Sequence, residues 1–240
     1  MKRLLFAFII IASFGYCGDK NRSLNVNQNT FVDYYSTGKK KSEGFVVNYT
    51  RVGCWNYYYG DESIQATGCY NDGLKEGAWV YYDSITKKVN DSIKWSIYLN
   101  DQRGFKFNYP LSWTVKEAYE RSNAVVVSNY SKRKPFYDNF NITTQDFNND
   151  FVLIDEFKKT VNKYKDLEIL SSEEIEINNN QAVFLSFLIN DHDVRLKVFQ
   201  IAIKNRNTFY LISCFSEELD FTTYERLYRE IAFSFTTLTK

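Results

Sequence analysis

The sequence GCWNYYYGDESIQATGCYNDGLKEGAWVYYD, residues 53–83, decides the fold because one short pattern occurs in it twice. The recurring residues stand 24 positions apart: Gly44 and Gly68, Gly53 and Gly77, Trp55 and Trp79, Tyr57 and Tyr81, and Tyr58 and Tyr82. One period earlier, Phe31 stands at the position of Trp55, so a weaker copy precedes the two full ones. Fixed spacing of this length is typical of an array of stacked supersecondary units.

Each repeat is predicted to be a β-hairpin. Asp72-Gly73 favours a tight turn, and aromatic-rich segments lie on both sides of it. Because one hairpin cannot bury its own tryptophan, the neighbouring unit must supply the rest of the pocket. The rings would then form ladders on one face of an antiparallel sheet, where each cross-strand pair adds about 0.2–1 kcal/mol.

Two interpretations of the repeated rings stay open. In the first, they form a structural core between neighbouring hairpins. In the second, they present an aromatic surface to a ligand or partner, and the candidate interaction residues are then Trp55, Tyr58, Trp79 and Tyr82. The first interpretation is favoured, because stacked repeats need such a core to be stable.

The second copy, YNDGLKEGAWVYY at residues 70–82, resembles the MORN repeat family and its bacterial variants. The resemblance extends over about residues 31–90, although Tyr49 stands in the first copy where the second has Gly73. It implies a hairpin array, in a family whose members are mostly scaffolds and interaction modules. One bacterial branch is similar to antitoxin components, an alternative that a secreted protein fits poorly.

The four cysteines predict one crosslink. If the segments around Asp61-Glu62 pair symmetrically, Cys54 and Cys69 face each other within bridging distance. We therefore predict a disulfide between them, which would close a loop of about 15 residues and add about 3 kcal/mol of stability. No CxxC motif and no neighbouring histidine completes a zinc site, so no metal is predicted.

The N-terminus predicts export from the cytoplasm. Lys2-Arg3 precedes an apolar segment, residues 4–14, that is too short to span a bilayer comfortably, as in a secretory signal. Residues 14–17, FGYC, then resemble the bacterial lipobox, which implies lipidation of Cys17. Tyr16 departs from the lipobox pattern, so plain secretion after cleavage at Gly15 and an uncleaved anchor stay open.

These features divide the chain into a signal peptide with lipobox (1–17), a flexible polar tether (18–30), a hairpin array (31–99) and a second domain (100–240). The predicted location is the cell envelope, as a membrane-anchored lipoprotein on the periplasmic or outer-membrane face. Secretion into the medium is the alternative. The near balance of 30 basic and 29 acidic residues argues against a nucleic-acid partner.

The second domain is predicted to mix strands and helices. The alternating Phe105, Phe107 and Tyr109 indicate a strand, and Asn205-Arg206-Asn207 indicates a hairpin turn. Leu153, Phe157 and Val161 recur at helical spacing, and the capping box Thr222-x-x-Glu225 predicts the start of a last helix. Strands that are apolar on both faces predict a sheet covered on both sides.

This layout resembles the PsbP-like superfamily, which includes photosystem II extrinsic subunits and bacterial envelope lipoproteins. The residues that carry the resemblance are Phe105, Phe107, Tyr109-Pro110, Trp113, Phe157 and Ser234-Phe235. It implies an α/β/α sandwich with an antiparallel sheet over residues 100–238. The predicted fold class is therefore α+β: a MORN-like hairpin array followed by a PsbP-like sandwich.

No recognised catalytic motif is present in the sequence. A Walker loop, GxSxG and HExxH are absent. If the last hairpin turns at Asn205-Arg206, Cys214 faces Lys197, and His192 is about 16 Å further along the strand, too far for a nucleophile and its base. No catalytic residue and no cofactor is predicted, and the protein is not expected to be an enzyme.

Three functional hypotheses follow. The leading one is a non-catalytic interaction or assembly accessory that binds another envelope protein or component and is held at the membrane by its lipid anchor. The second is a small-ligand-binding protein with a pocket in the C-terminal sandwich. The third, which the sequence favours least, is a hydrolytic or redox enzyme that uses His192 or Cys214.

Overall fold

The computed structural model describes residues 29–117, 124–129, 138–148, 151–163, 167–191 and 193–238. The predicted signal peptide, most of the tether, Cys17 and His192 lie outside these residues. In the described part of the chain, neither helix is long and apolar enough to cross a membrane.

The described strands form two antiparallel sheets. The first, in spatial order, contains β1 (Asn29–Tyr34), β2 (Lys40–Val47), β3 (Thr50–Tyr58), β4 (Ile64–Asn71), β5 (Leu74–Tyr82), β6 (Val89–Asn100), β7 (Phe105–Pro110) and β15 (Thr236–Thr237). The second contains β11 (Glu168–Ile177), β12 (Asn180–Asp191), β13 (Val194–Asn205), β14 (Thr208–Glu217), β10 (Asn139–Asp146), β9 (Ala124–Ser128) and β8 (Thr114–Glu117). The helices are α1 (Leu153–Val161) and α2 (Glu218–Ser234).

Strands β1 to β7 pair in chain order, as expected for consecutive hairpins. Asp72 and Gly73 have φ of 47° and 80° and form the predicted two-residue turn between β4 and β5. Cys54 lies opposite Cys69 in the β3–β4 register, and the two form the predicted disulfide. Local sequence therefore determines the turn of the β4–β5 hairpin and the register of the β3–β4 hairpin.

The two repeated tryptophans pack against the two repeated glycines. An ideal Cβ on Gly44 would lie 2.3 Å from Cδ2 of Trp55, and a Cβ on Gly68 would lie 2.3 Å from Cδ2 of Trp79. Any side chain at either glycine would overlap the indole, so both glycines are required by this close approach. The sequence repeat is thus also a repeat of contacts.

The second sheet is covered on both faces. On one face, Phe184, Phe199 and Ile212 belong to the same buried cluster as α2. On the other face, Leu185, Val198 and Leu211 pack in a separate buried cluster with residues of α1. The main core lies between the two sheets, where Phe105 and Phe107 of β7 are fully buried.

The predicted α+β class with an α/β/α sandwich is wrong. Strands make up 64% of the described residues and helices 13%, so the chain is mostly antiparallel β in two curled sheets. The physical reason lies in β7, which the sequence assigned to the sandwich. This strand pairs with β6 in the first sheet, and its Phe105 and Phe107 contact Phe235 and Phe140, so the first sheet and α2 together cover one face of the second sheet.

Two local predictions in the second half are also wrong. The last hairpin turns at Arg206-Asn207, so Cys214 faces Phe199 and not Lys197. The last helix begins at Glu218 directly after β14, so Thr222 lies inside it and caps nothing. The division predicted between residues 99 and 100 falls at the end of β6, and whether it separates two folding units stays a prediction.

Candidate interaction site

Aromatic rings form a continuous ladder on one face of strands β1 to β5, the face that carries Trp55 and Trp79, which we call the inner face. The centroid of Trp55 lies 5.8 Å from that of Phe31 and 6.0 Å from that of Tyr70, and Tyr70 lies 5.0 Å from Trp79. Tyr57 lies 6.0 Å from Trp79 and joins the two repeats on the same face. These spacings are those of favourable ring pairs, so the ladder holds neighbouring hairpins together.

Arg51 lies over the rings of the first repeat. Its guanidinium carbon is 5.0 Å from the centroid of Trp55, 6.0 Å from that of Tyr57 and 5.7 Å from that of Tyr70. All three distances are within the range of cation–π attraction. We call Arg51 and these three rings the first cage.

Lys75 occupies the same position in the second repeat, 24 residues later. Its ammonium is 4.1 Å from the centroid of Trp79, 5.2 Å from that of Tyr81 and 5.7 Å from that of Trp95. We call Lys75 and these rings the second cage. Trp95 faces Gly77 in the strand register as Tyr70 faces Gly53, so the two cages have equivalent members.

The second cage is completed by a carboxylate from α2. Glu230 accepts hydrogen bonds from the Lys75 ammonium at 2.7 Å and from the Tyr81 hydroxyl at 2.8 Å. Burial lowers the pKa of Lys75, and the Glu230 charge opposes this shift. Arg226, one turn earlier in α2, lies 4.1 Å from the Tyr81 centroid and pairs with Asp91. The helix is thus bound to the array by charge as well as by apolar contact.

The tyrosines of both cages are kept neutral. Burial raises the pKa of Tyr70 and of Tyr81 well above the usual phenol value, and it raises the pKa of Tyr57 as well. The hydroxyls of Tyr57 and Tyr70 lie 2.8 Å apart and share a hydrogen bond. Neutral phenols remain hydrogen-bond donors, so the first cage offers O–H groups beside a fixed positive charge.

Grooves lie on two sides of the first cage. One, of about 500 Å³, is lined by Arg51, Tyr57 and Tyr70 and extends to the second cage. The other, of about 710 Å³, is lined by Arg51, Phe31 and Tyr49 and extends to the end of α2. Phe31 is 42% exposed and Tyr49 is fully exposed, so this second groove has an apolar rim open to solvent.

The four predicted interaction residues separate into two pairs. Trp55 and Trp79 come together on the inner face, but each is only 1% exposed and serves as core. Tyr58 and Tyr82 are half-buried. The Tyr58 hydroxyl binds Glu43, and the main-chain oxygens of Tyr58 and Tyr82 accept hydrogen bonds from Tyr35 and Tyr59. Whether any of the four contacts a partner stays a prediction.

Sequence reasoning missed the charged members of the site. Arg51 and Lys75 obey the 24-residue spacing, so the repeat itself could have identified them. Trp95 is 25 residues after Tyr70 and escapes a strict period. Glu230 carries no local signal, because only the packing of α2 against β5 brings it to the cage.

A separate surface cleft of about 720 Å³ lies between the β6–β7 hairpin and α2. Trp113 and Tyr224 form an aromatic part of its wall, with ring centroids 6.1 Å apart. Lys94, Arg226 and Asp91 also line the cleft, and Asp91 forms an ion pair with Arg226. A concave aromatic wall with a few charged groups is suited to a small molecule.

The chemistry of the remaining candidates is limited. Cys214 is fully buried, and burial raises the pKa of its thiol well above the usual value, so a reactive thiolate is disfavoured there. Within the described ranges, no group of three or more His, Cys, Asp or Glu side chains could hold a metal ion.

Two antiparallel sheets, with a helix against each face of the second and a cation–aromatic repeat on the first, define a class of β-rich two-sheet proteins. Residues 82–236 match the model of the family described as PsbP-like protein. Since this match covers more than half of the chain, the protein belongs to the PsbP-like family. The match begins at the last residue of β5, so most of the aromatic repeat precedes it.

Solved structures are similar to about three fifths of the chain. The chain is similar to cyanobacterial PsbP (CyanoP) from Synechocystis sp. PCC 6803, with 19% identity and a TM-score of 0.47, over 60% of this chain and 92% of that one. It is also similar to LpqN, involved in cell envelope biogenesis of Mycobacterium tuberculosis, with 9% identity and a TM-score of 0.49, over 61% of this chain and 92% of that one. No curated protein matches the sequence.

Proposed function

We propose that this PsbP-like protein is a non-catalytic accessory of the cell envelope, anchored through Cys17, that binds another envelope component with the inner face of its repeat array. One observation carries the proposal. Helix α2 covers this face at β5 through Glu230, whereas Phe31 and Tyr49 at the start of the array stay exposed beside Arg51. Exposed aromatic side chains next to a positive charge are typical of interaction surfaces.

The proposed location depends on two features. The N-terminal signal with its lipobox-like FGYC directs the folded part outside the cytoplasm. The Cys54–Cys69 disulfide is the kind of crosslink that persists in an oxidising compartment. MORN-like repeats, as a resemblance, point in the same direction, because such repeats mostly act in binding and assembly.

Crosslinking in native envelopes tests the proposal. In a variant carrying Phe31→Ala and Tyr49→Ala, we expect loss of the crosslinked partners of the unaltered protein. The matched control replaces two exposed apolar residues elsewhere, Ile169→Ala and Leu219→Ala, which are 58% and 93% exposed, and should keep those partners. Identical partner sets for both variants would refute a role of the array face.

A second candidate function rests on the 720 Å³ cleft between the β6–β7 hairpin and α2. If the protein carries a small ligand there, native mass spectrometry of the purified protein should show a bound molecule. Leu227→Trp, which adds volume inside this cleft, should remove that molecule while the crosslinked partners remain. A preparation with no bound mass, in both the unaltered protein and the variant, would argue against this candidate.

A further inference from the structure

The two cages share one architecture but differ in one group. In the second cage, Glu230 from α2 bridges the cation and the tyrosine hydroxyl. In the part of the chain that the structure describes, no carboxylate forms an ion pair with Arg51, the equivalent cation. The first cage therefore has the cation and the tyrosine hydroxyl that bind Glu230 in the second cage, but it has no equivalent of Glu230 among the described residues.

We propose that the first cage is a docking site for a carboxylate carried on a helix of a partner protein, bound as α2 presents Glu230 to the second cage. This inference rests on the proposed function and names the chemistry of the partner. The chain itself provides the precedent, because its own acidic helix already occupies the equivalent site one repeat away.

The donors of the first cage suit a carboxylate. The guanidinium of Arg51 presents a planar fork of N–H donors that can bind both oxygens of a carboxylate. Tyr57 and Tyr70 have two hydroxyls, and their mutual hydrogen bond uses only one of the two protons. The other proton remains free to be donated, which matches the role of the Tyr81 hydroxyl toward Glu230 in the second cage.

The surroundings of the first cage suit a helix with one apolar side. The 710 Å³ groove beside Arg51 is lined by Phe31, Tyr49 and Phe233. Phe31 and Phe233 are 42% and 46% exposed, so both retain apolar surface that a partner can cover. An amphipathic helix that places a glutamate near apolar residues would bury this rim and satisfy Arg51 in one contact. Helix α2 has that composition, with Ile231 and Ala232 next to Glu230.

A labelled peptide corresponding to residues 218–234, ELDFTTYERLYREIAFS, is the probe, and the full chain is the receptor. Fluorescence anisotropy should show binding that Glu230→Gln in the peptide weakens about tenfold or more, as expected for a charge-assisted hydrogen bond. Arg51→Gln in the receptor should cause a similar loss, and Arg51→Lys should restore part of it. The matched control, Lys88→Gln, removes an exposed positive charge elsewhere and should leave binding unchanged.

Three results would overturn the inference. The first is no binding of the peptide, and the second is equal binding of the Glu230→Gln peptide. The third is binding to vesicles of anionic phospholipid that depends on Arg51 and that the peptide does not compete for, which would make the cage a membrane contact. Circular dichroism and thiol titration of each Arg51 variant establish that fold and disulfide are intact. If Phe31 and Tyr49 still determine the envelope crosslinks, the proposed function survives failure of the peptide test.

Discussion

The central strands of the second sheet are buried on both faces, whereas strands β3 and β5 of the array each bury only one to three residues. In β12, eight consecutive residues from Ala182 to Ile189 are buried. In β3, Trp55 is the one fully buried residue. The second sheet is thus stabilised by continuous apolar runs between α1 and α2, and the array by a few large rings and a disulfide.

This difference shows where each region is vulnerable. A sheet packed on both sides distributes its stability over many buried contacts. An array with one packed face concentrates its stability in the indoles of Trp55 and Trp79, in the glycines beneath them and in the Cys54–Cys69 bond. Substitutions in the array should therefore have local effects that leave β12 to β14 unchanged.

The largest expected effect comes from the disulfide. Replacing Cys54 and Cys69 by Ala together should lower the free energy of unfolding by about 3 kcal/mol, because the bond closes a 15-residue separation. Hydrogen exchange should become faster for amides of β3 and β4 and stay slow for those of β13. Equal loss of protection in β13 would show that the two sheets unfold as one unit and would break the comparison.

A smaller effect is expected from the glycine beneath the second indole. Gly68→Ala places a methyl group 2.3 Å from the Trp79 ring and should cost about 1–3 kcal/mol through overpacking. Gly60→Ala is the matched control, since nothing lies within 4 Å of a Cβ at that position. Urea denaturation of both variants measures the difference, and similar midpoints would mean that the indole does not depend on the glycine.

The smallest expected effect is on the pH dependence of stability, to which two buried tyrosines of the array contribute. Burial raises the pKa of Tyr70 and Tyr81, so the folded state keeps phenolic protons that the unfolded chain loses at about pH 10. The associated stability is complete below about pH 10 and falls by about 1.4 kcal/mol per pH unit for each such tyrosine as the pH rises above it.

Lys75 acts with the opposite sign, because its lowered pKa adds stability as the pH rises toward the unfolded value of about 10.4. Measurements above that pH therefore exclude the contribution of Lys75. Tyr70→Phe should reduce the slope of stability against pH by the contribution of one tyrosine, about 1.4 kcal/mol per pH unit. An unchanged slope in Tyr70→Phe would contradict the burial argument.

The sequence predicted those parts of the fold whose signals are local. The Asp72-Gly73 turn follows from its dipeptide, and the Cys54–Cys69 pairing follows from symmetry around the loop between β3 and β4. The helical spacing of Leu153 and Phe157 likewise predicted α1 at the position where the structure has it. In each case the residues that determine the structure lie within about one strand or one helix of each other.

The parts that failed depend on partners that are distant in the sequence. The alternation of Phe105 and Phe107 predicts a strand but does not determine which sheet the strand joins. Only its pairing with β6 places β7 in the first sheet. The start of α2 depends on where β14 ends. The sequence prediction paired β14 with β13 two residues out of register, since Cys214 faces Phe199 and not Lys197. Glu230 reaches Lys75 across 155 residues, so no local pattern could have placed it in the second cage.

Strand β15 is the last strand of the first sheet to be synthesised, and it pairs with β7. Thr236 and Thr237 pair with Lys106 and Phe105, so the sheet that begins at residue 29 gains its last strand only when residue 237 has been made. During synthesis, the outer hydrogen-bonding groups of β7 remain unpaired while some 130 residues follow, and an unpaired strand edge can recruit other chains. The edge of β7 is therefore open to other chains for a defined interval before β15 covers it.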